Sequence, residues 1–340
     1  VASKIKRVAV VDGGIAPQTM YAWFFECNNL LSVNLSRLDT SKTTSLGYAF
    51  SRCKSLTDLD LSALDTSSVR SFADVFQECS SLWSVNLAGW DTSSGKDFRQ
   101  MFYRCASLEE IDISSFKTSA STSFEQMFYG CSSLRSLDLS HFDTGSATTF
   151  ASMFYNCASL ATLDLSSFDT SNVETMADLF TGCSRLAEVT LGESFAWVGS
   201  KCFLPQPSAG DIPGADGLWH AASDGVSYRP SAVPGNKADT YRAVAPGGEG
   251  DAVEDDADVS NGTDSAGAAE SANGAGAAED SGNEGCAGSE NAADTAPGAS
   301  APNGENHAIA VEGLAAAERE DYMTALAIAN PSAAAPSVVA

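Results

Sequence analysis

The sequence predicts a repeat solenoid: a 26-residue unit of strand, turn and short helix, copied along the chain and followed by a small β cap and an acidic tail. Three observations predict it. Seven cysteines, Cys27, Cys53, Cys79, Cys105, Cys131, Cys157 and Cys183, each follow the last by 26 residues. A phenylalanine stands three residues before each cysteine (Phe24 to Phe180) and a leucine three residues after it (Leu30 to Leu186). Composition then changes abruptly beyond residue 245. A fixed period of this length marks one supersecondary unit repeated along a stack.

The elements follow in order. Lys4 to Val11 reads as a strand that opens the stack. Six and eight residues after each cysteine comes an aliphatic pair, as in Val33/Leu35, Leu59/Leu61, Ile111/Ile113 and Leu163/Leu165. That period of two is a strand with one buried side. Next stand Leu38-Asp39-Thr40-Ser41 or Phe168-Asp169-Thr170-Ser171, whose short polar side chains bond nearby N–H groups and turn the chain. Apolar residues then recur at steps of three and four, as in Val173, Met176, Leu179, Phe180 and Cys183, which predicts one or two helical or 3₁₀ turns. No single unit can bury its apolar side, so neighbours must cover one another. With strands about 4.8 Å apart, seven or eight coils make a slab roughly 35 Å long.

The string Met153-Phe154-Tyr155-Asn156-Cys157-Ala158-Ser159-Leu160, followed by Leu163-Asp164-Leu165-Ser166-Ser167-Phe168-Asp169-Thr170-Ser171, resembles the BspA-like leucine-rich-repeat surface proteins, whose repeat type is also called treponemal. The similarity covers residues 4 to 195, with Lys117 in place of one turn aspartate and Gly145 in place of one turn serine. The resemblance implies an α+β leucine-rich repeat. It also implies a bacterial secreted or cell-surface location and a non-enzymatic role in adhesion or protein binding. The partner would then be a host extracellular protein or another cell-surface protein. A structural stalk or spacer is the alternative. A carbohydrate-binding module is the third reading, and Trp83 and Trp90, both in one repeat, are the feature that favours it.

Charge narrows the classes. The net charge is −25, of which residues 1–205 carry −7 and residues 206–340 carry −18. Nucleic acid needs a basic footprint and anionic lipid a polybasic segment, so neither is an expected partner. The expected organisation is a repeat region over 1–195, a β-rich cap over 196–245, a disordered acidic linker over 246–306 and an alanine-rich tail over 307–340. The linker, with fourteen acidic residues and no lysine or arginine between Pro246 and Glu305, cannot bury enough apolar surface to offset its ordering entropy. In the tail, Leu314 to Ala329 reads as a short helix ended by Asn330-Pro331. No run of about 20 apolar residues appears, so no direct membrane insertion is expected. Export and anchoring signals are expected to lie outside this sequence, and the extracellular location rests on the resemblance.

Candidate sites come from the same frame. One cysteine per coil makes a line, whereas metal ligands converge on a point, so the seven are read as a buried thiol ladder. Cys202 and Cys286 fall off the frame. His141, His220 and His307 are scattered with no serine elbow or zinc-binding motif beside them, so neither catalysis nor a cofactor is expected. Strand alternation places Asp58/Asp60, Glu110/Asp112, Ser136/Asp138 and Thr162/Asp164 on the outer face as an acidic column. Asp58, Asp60, Glu110 and Asp112 are a weak calcium candidate, and Asp138 and Asp164 belong to the candidate binding surface. Tyr103, Tyr129 and Tyr155, two residues before their cysteines and in frame with Phe25, would form an aromatic ridge if exposed.

Overall fold

In the computed structural model each repeat residue lies beside its counterpart 26 residues on, and backbone hydrogen bonds join the two along both sides of the turn. On one side the bridges run Ser45 to Ser71, Asp97, Ser123, Thr149 and Thr175 in unbroken succession. On the other they join short parallel strands. The structure describes residues 2–11, 13–245, 308–313 and 337–339. All of these fall in one unit, 1–248 with 303–340; a second unit, 249–302, lies outside the described residues.

The strand side is not one continuous sheet. Strands β1 (Arg7–Val10) and β2 (Ser32–Asn34) pair in parallel. So do β3 (Asp58–Asp60) with β4 (Ser84–Asn86), and β5 (Thr162–Leu165) with β6 (Glu188–Leu191). The ladder breaks between β2 and β3, and residues 110–112 and 136–138 form no strand at all.

The predicted strand–turn–short-helix solenoid is overturned here. The described residues contain no α-helix, and their two 3₁₀ turns, Ala2–Lys4 and Pro230–Ala232, lie outside the apolar three-and-four pattern that predicted one. The backbone amides give the reason. An α-helix sends every N–H to the carbonyl four residues back. Here alternate amides leave the coil: Leu46, Tyr48, Phe50 and Arg52 donate to the carbonyls of Ser71, Ala73, Val75 and Gln77 in the next one. The amides between them, at Ala49, Ser51 and Cys53, close tight turns onto the residue three back. The same alternation recurs from Phe72 to Glu78, Phe98 to Arg104, Phe124 to Gly130 and Phe150 to Asn156.

Two residues per coil take the left-handed conformation to reset the turn. Five before each cysteine stand Ala22, Tyr48, Asp74, Gln100, Gln126, Ser152 and Asp178, with φ from 53° to 59°. One before it stand Glu26, Arg52, Glu78, Arg104, Gly130, Asn156 and Gly182, with φ from 55° to 83°. A spacing of three and four thus comes from consecutive turns rather than from a helix.

Side chains complete each coil. The serine, threonine or aspartate eight before each cysteine accepts the N–H two residues on, as Ser45 Oγ does from Gly47 and Asp97 Oδ1 from Arg99. In the Asp-Thr-Ser turn the aspartate does likewise for the serine, as Asp65 does for Ser67 at 3.0 Å. The buried threonine donates to the next coil, Thr66 to the Asp91 carbonyl and Thr118 to that of Asp143. Thr92 donates to the carbonyl of Lys117, so the ladder tolerates lysine there, and the Lys117 ammonium lies 3.4 Å from Asp91.

The core runs along the stack as columns. Phe24, Phe50, Phe76, Phe102, Phe128, Phe154 and Phe180 are 0–1% exposed and stack with ring centroids 5.1–6.1 Å apart. Phe72, Phe98, Phe124 and Phe150 form a second column. Each pair adds about 0.5–1.5 kcal/mol beyond its area burial. All seven cysteines are buried free thiols. Six of them donate S–H to the phenylalanine carbonyl of the preceding coil, Cys105 to Phe76 and Cys131 to Phe102 at 3.1 Å. Burial pushes the thiols of Cys27, Cys79, Cys131 and Cys183 up to about 12.

Both ends are covered by antiparallel strands. β6 pairs with β9 (Asp239–Arg242), which pairs with β7 (Trp219–Ala221), which pairs with β8 (Ser227–Tyr228). Trp219 and Tyr241 are fully buried there. At the opposite end β10 (Ala308–Glu312) lies antiparallel on β1, with β11 (Ser337–Val339) parallel on its far side. The acidic linker, Cys286, His307 and the helix expected over Leu314 to Ala329 lie outside the described residues.

Replacing Cys105 by alanine removes a packed sulfur and its hydrogen bond, which should lower stability by about 1–3 kcal/mol in chemical denaturation. Iodoacetamide at pH 8 should label partly exposed Cys202 in the native protein, while the seven ladder thiols react only in denaturant. Labelling of the ladder in the native state, read by mass spectrometry, would refute its packing.

Candidate functional site

The turn side carries the most ordered surface feature. The side chain two before each cysteine follows a buried phenylalanine and precedes a left-handed residue, and its exposure varies from coil to coil: Ser51 is buried and Thr181 exposed. At three successive coils this side chain is tyrosine. Tyr103 and Tyr129 stack at 4.7 Å and 20°, and Tyr129 and Tyr155 at 4.6 Å and 2°, each ring half-buried. The Arg104 guanidinium lies 5.1 Å from the Tyr103 centroid and 6.0 Å from that of Tyr129. Such cation–π contacts contribute about 0.5–1 kcal/mol at exposed sites. Gly130 makes room for it, since a Cβ there would stand 3.2 Å from Arg104 Cγ. Phe25 does not join the ridge: Ser51 and Gln77 occupy its frame in the coils between, and its ring meets Tyr48 edge-on.

Beside this frame a charged rung joins three coils. Arg52 reaches Glu26 at 2.8 Å and Glu78 at 3.6 Å, and Lys54 reaches Glu78 at 3.8 Å. A polar ladder runs alongside it: Ser51 donates to Gln77, which donates to Gln100 and to the carboxylate of Asp74. Asp74 is 1% exposed, and desolvation pushes its pKa up to about 6.

On the strand face the carboxylates are occupied with local structure. Asp60, Asp112 and Asp138 each accept both the N–H and the hydroxyl of the serine two residues on, and Asp164 accepts the Ser166 N–H. Those serine bonds hold Asp60, Asp112 and Asp138 below the ordinary carboxylate range. The calcium set is not brought together. Asp58 and Asp60 lie on β3, whose register partners are Ser84 and Asn86 of β4, and Glu110 and Asp112 belong to the coil beyond. Asn86 donates its amide to Asp60. Among the described residues no group of three or more histidines, cysteines or acids is placed to hold a metal. Asp138 and Asp164 sit on adjacent coils of this face.

Where the strand ladder fails beside β4, a groove of about 950 Å³ opens, lined by Trp83, Glu109, Glu110, Asp112, Arg135 and Asp138 among others. Trp83 is 57% exposed, whereas Trp90 of the same repeat is buried and donates to the Leu61 carbonyl. The groove was not legible in the sequence, because nothing in the repeat pattern marks residues 110–112 as unpaired. Arg104 was legible in principle: it follows a tyrosine and precedes, by one period, a glycine in the same frame.

Two histidines find structural partners. His141 Nε2 contacts the Ile113 carbonyl at 2.9 Å. His220 is buried between Ser227 Oγ, 2.9 Å from Nδ1, and Asp216 Oδ1, 3.2 Å from Nε2. Spacing alone did not reveal that trio. It bridges the β7–β8 pair, and the groove beside β4 does not open on it.

Fold and surface together define a repeat protein whose outward features are columns of like side chains. Residues 18–136 and 85–191 match the family described as Mycoplasma protein of unknown function, DUF285. The two matches together span half of the chain, and the chain belongs to this family. No curated protein and no solved structure matches it. No helix among the described residues is long and apolar enough to cross a membrane.

The raised pKa of Asp74 has a measurable consequence. Its folded value, about 6, exceeds the unfolded value near 3.9, so the folded state binds that proton more tightly. The resulting stability is fully present below the unfolded value and is lost as pH rises through 6. Asp74→Asn should therefore gain on wild type between pH 5 and 7.5, by about 1.4 kcal/mol. Denaturant titrations at each pH would show it, and a pH-independent difference would contradict it.

Proposed function

We propose that this chain is a non-enzymatic cell-surface protein of the BspA-like kind that binds another protein through the ridge of Tyr103, Tyr129 and Tyr155. The observation that carries the reading is the stack itself: three half-exposed rings in register, with Arg104 across two of them. Tyrosine and arginine are, with tryptophan, the residues most enriched at binding hot spots. The acidic column is the weaker candidate, because serine bonds engage its carboxylates in turns. The resemblance of the repeat to adhesive surface proteins supports an extracellular partner.

One observation favours carbohydrate as a second ligand class. Trp83 is an exposed aromatic platform at a groove bearing Glu110, Asp112 and Asp138, and pyranose rings stack on such platforms.

The full chain should be screened against immobilised extracellular-matrix proteins and glycans at physiological salt. The expected result is saturable protein binding that falls by at least about 30-fold in a Y103S/Y129S/Y155S variant that still unfolds cooperatively. Glycan binding abolished by Trp83→Ala would transfer the function to the groove. A wild-type chain that binds nothing would leave the stalk reading in possession.

A further inference from the structure

The β1 end of the stack is closed by residues 308–313. β1 pairs with β2 on one edge, and its second edge is filled by β10, in register Arg7 to Glu312, Val8 to Val311, Ala9 to Ala310 and Val10 to Ile309. The fit is specific. Ile309 and Val311 are both 3% exposed and cover the open end of the apolar column opposite Val8 and Val10. The Arg7 guanidinium holds both carboxylate oxygens of Glu312, at 2.8 and 3.1 Å. The Lys6 N–H donates to the Glu312 carbonyl. Gly313, at φ +103°, then turns away against the Lys4 carbonyl, where any Cβ would collide.

Yet this strand is tied to the stack only through residues 246–307, whose contour length is roughly 200 Å at about 3.3 Å per residue. The stack it must span is only about 35 Å long at the usual strand spacing. Covalent connection therefore does not dictate which molecule supplies the strand. We propose that the edge of β1 opposite β2 is a docking site for the 308–313 segment, filled in cis in the isolated chain and by the same segment of a second copy when chains are concentrated. A second copy is the occupant because each carries the complementary strand, down to the carboxylate that meets Arg7 and the glycine that clears Lys4. Charge points the same way: Lys4, Lys6 and Arg7 gather at this end, whereas the C-terminal portion of the chain is strongly acidic. Exchange of an identical element between protomers is a low-cost route to assembly, since it makes no contact that the monomer lacks. The proposal is independent of the tyrosine ridge.

The test uses the full chain in a C202S/C286S background. Arg7→Cys is placed on one copy and Glu312→Cys on a differently tagged copy, and the two are mixed and oxidised. The expected result is a disulfide-linked heterodimer whose yield rises with protein concentration. It should fall at least tenfold when I309D/V311D is added to the Glu312→Cys copy, with the melting of the repeats monitored to show that they remain folded. A same-chain R7C/E312C variant that cross-links within itself, with no heterodimer at any concentration, would confine the strand to its own molecule and overturn the proposal. Failure of both cross-links would remove the pairing on which it rests.

Discussion

Everything in the repeat region depends on where alternate amide groups on the turn side send their hydrogen bonds. Committing them to the next coil fixes the spacing between coils, and that spacing stacks the phenylalanines, brings each thiol to a carbonyl and sets the tyrosines face to face. The conformational cost is two left-handed residues per coil, each about 1 kcal/mol or more where it is not glycine. Four intercoil bonds, at about 1 kcal/mol apiece, offset it. The buried columns then supply the surplus that keeps the stack folded. No coil is stable alone, because its amide donors and its apolar side both need a neighbour.

Much of this was legible in the residues. The period and the buried frames at phenylalanine, cysteine and leucine describe contacts stated seven times over, and the Asp-Thr-Ser turn recurs in six coils with Lys117 and Gly145 as its departures. The expected short helix is absent for a definite reason. Spacing of three and four reports which side chains are buried, not which carbonyl each amide meets, and left-handed residues announce themselves only when they are glycine. Here they are mostly Glu, Arg, Asp, Gln, Tyr and Ser, whose presence at such positions only the backbone reveals. The sheet departs from expectation for a different reason: the alternation at Ile111/Ile113 is as good as that at Leu59/Leu61, yet the first segment has no strand partner and the second has.

The surface shows a similar division. The tyrosine ridge follows from the frame, and sequence reasoning could place it. Arg104 over two rings packs closely against Gly130 of the next coil, a relation between neighbouring coils. The acidic column looks like a binding surface in one dimension, but its carboxylates mostly serve their own turns. Repetition explains such a column without any ligand, whereas the unrepeated features, Trp83 with its groove and the run of three tyrosines, are what distinguish this chain from a uniform stack.

The exact coincidence of side-chain period and coil length carries a consequence for how such a chain can change. Removing or duplicating one whole unit of 26 residues brings phenylalanine back to phenylalanine, threonine back to threonine and every amide back to a waiting carbonyl. A gain or loss of any other length leaves the two halves out of step. Length is therefore quantised: the protein can grow or shrink by recombination between its own repeats, varying its reach without redesigning a single contact, while small insertions inside a coil meet strong selection.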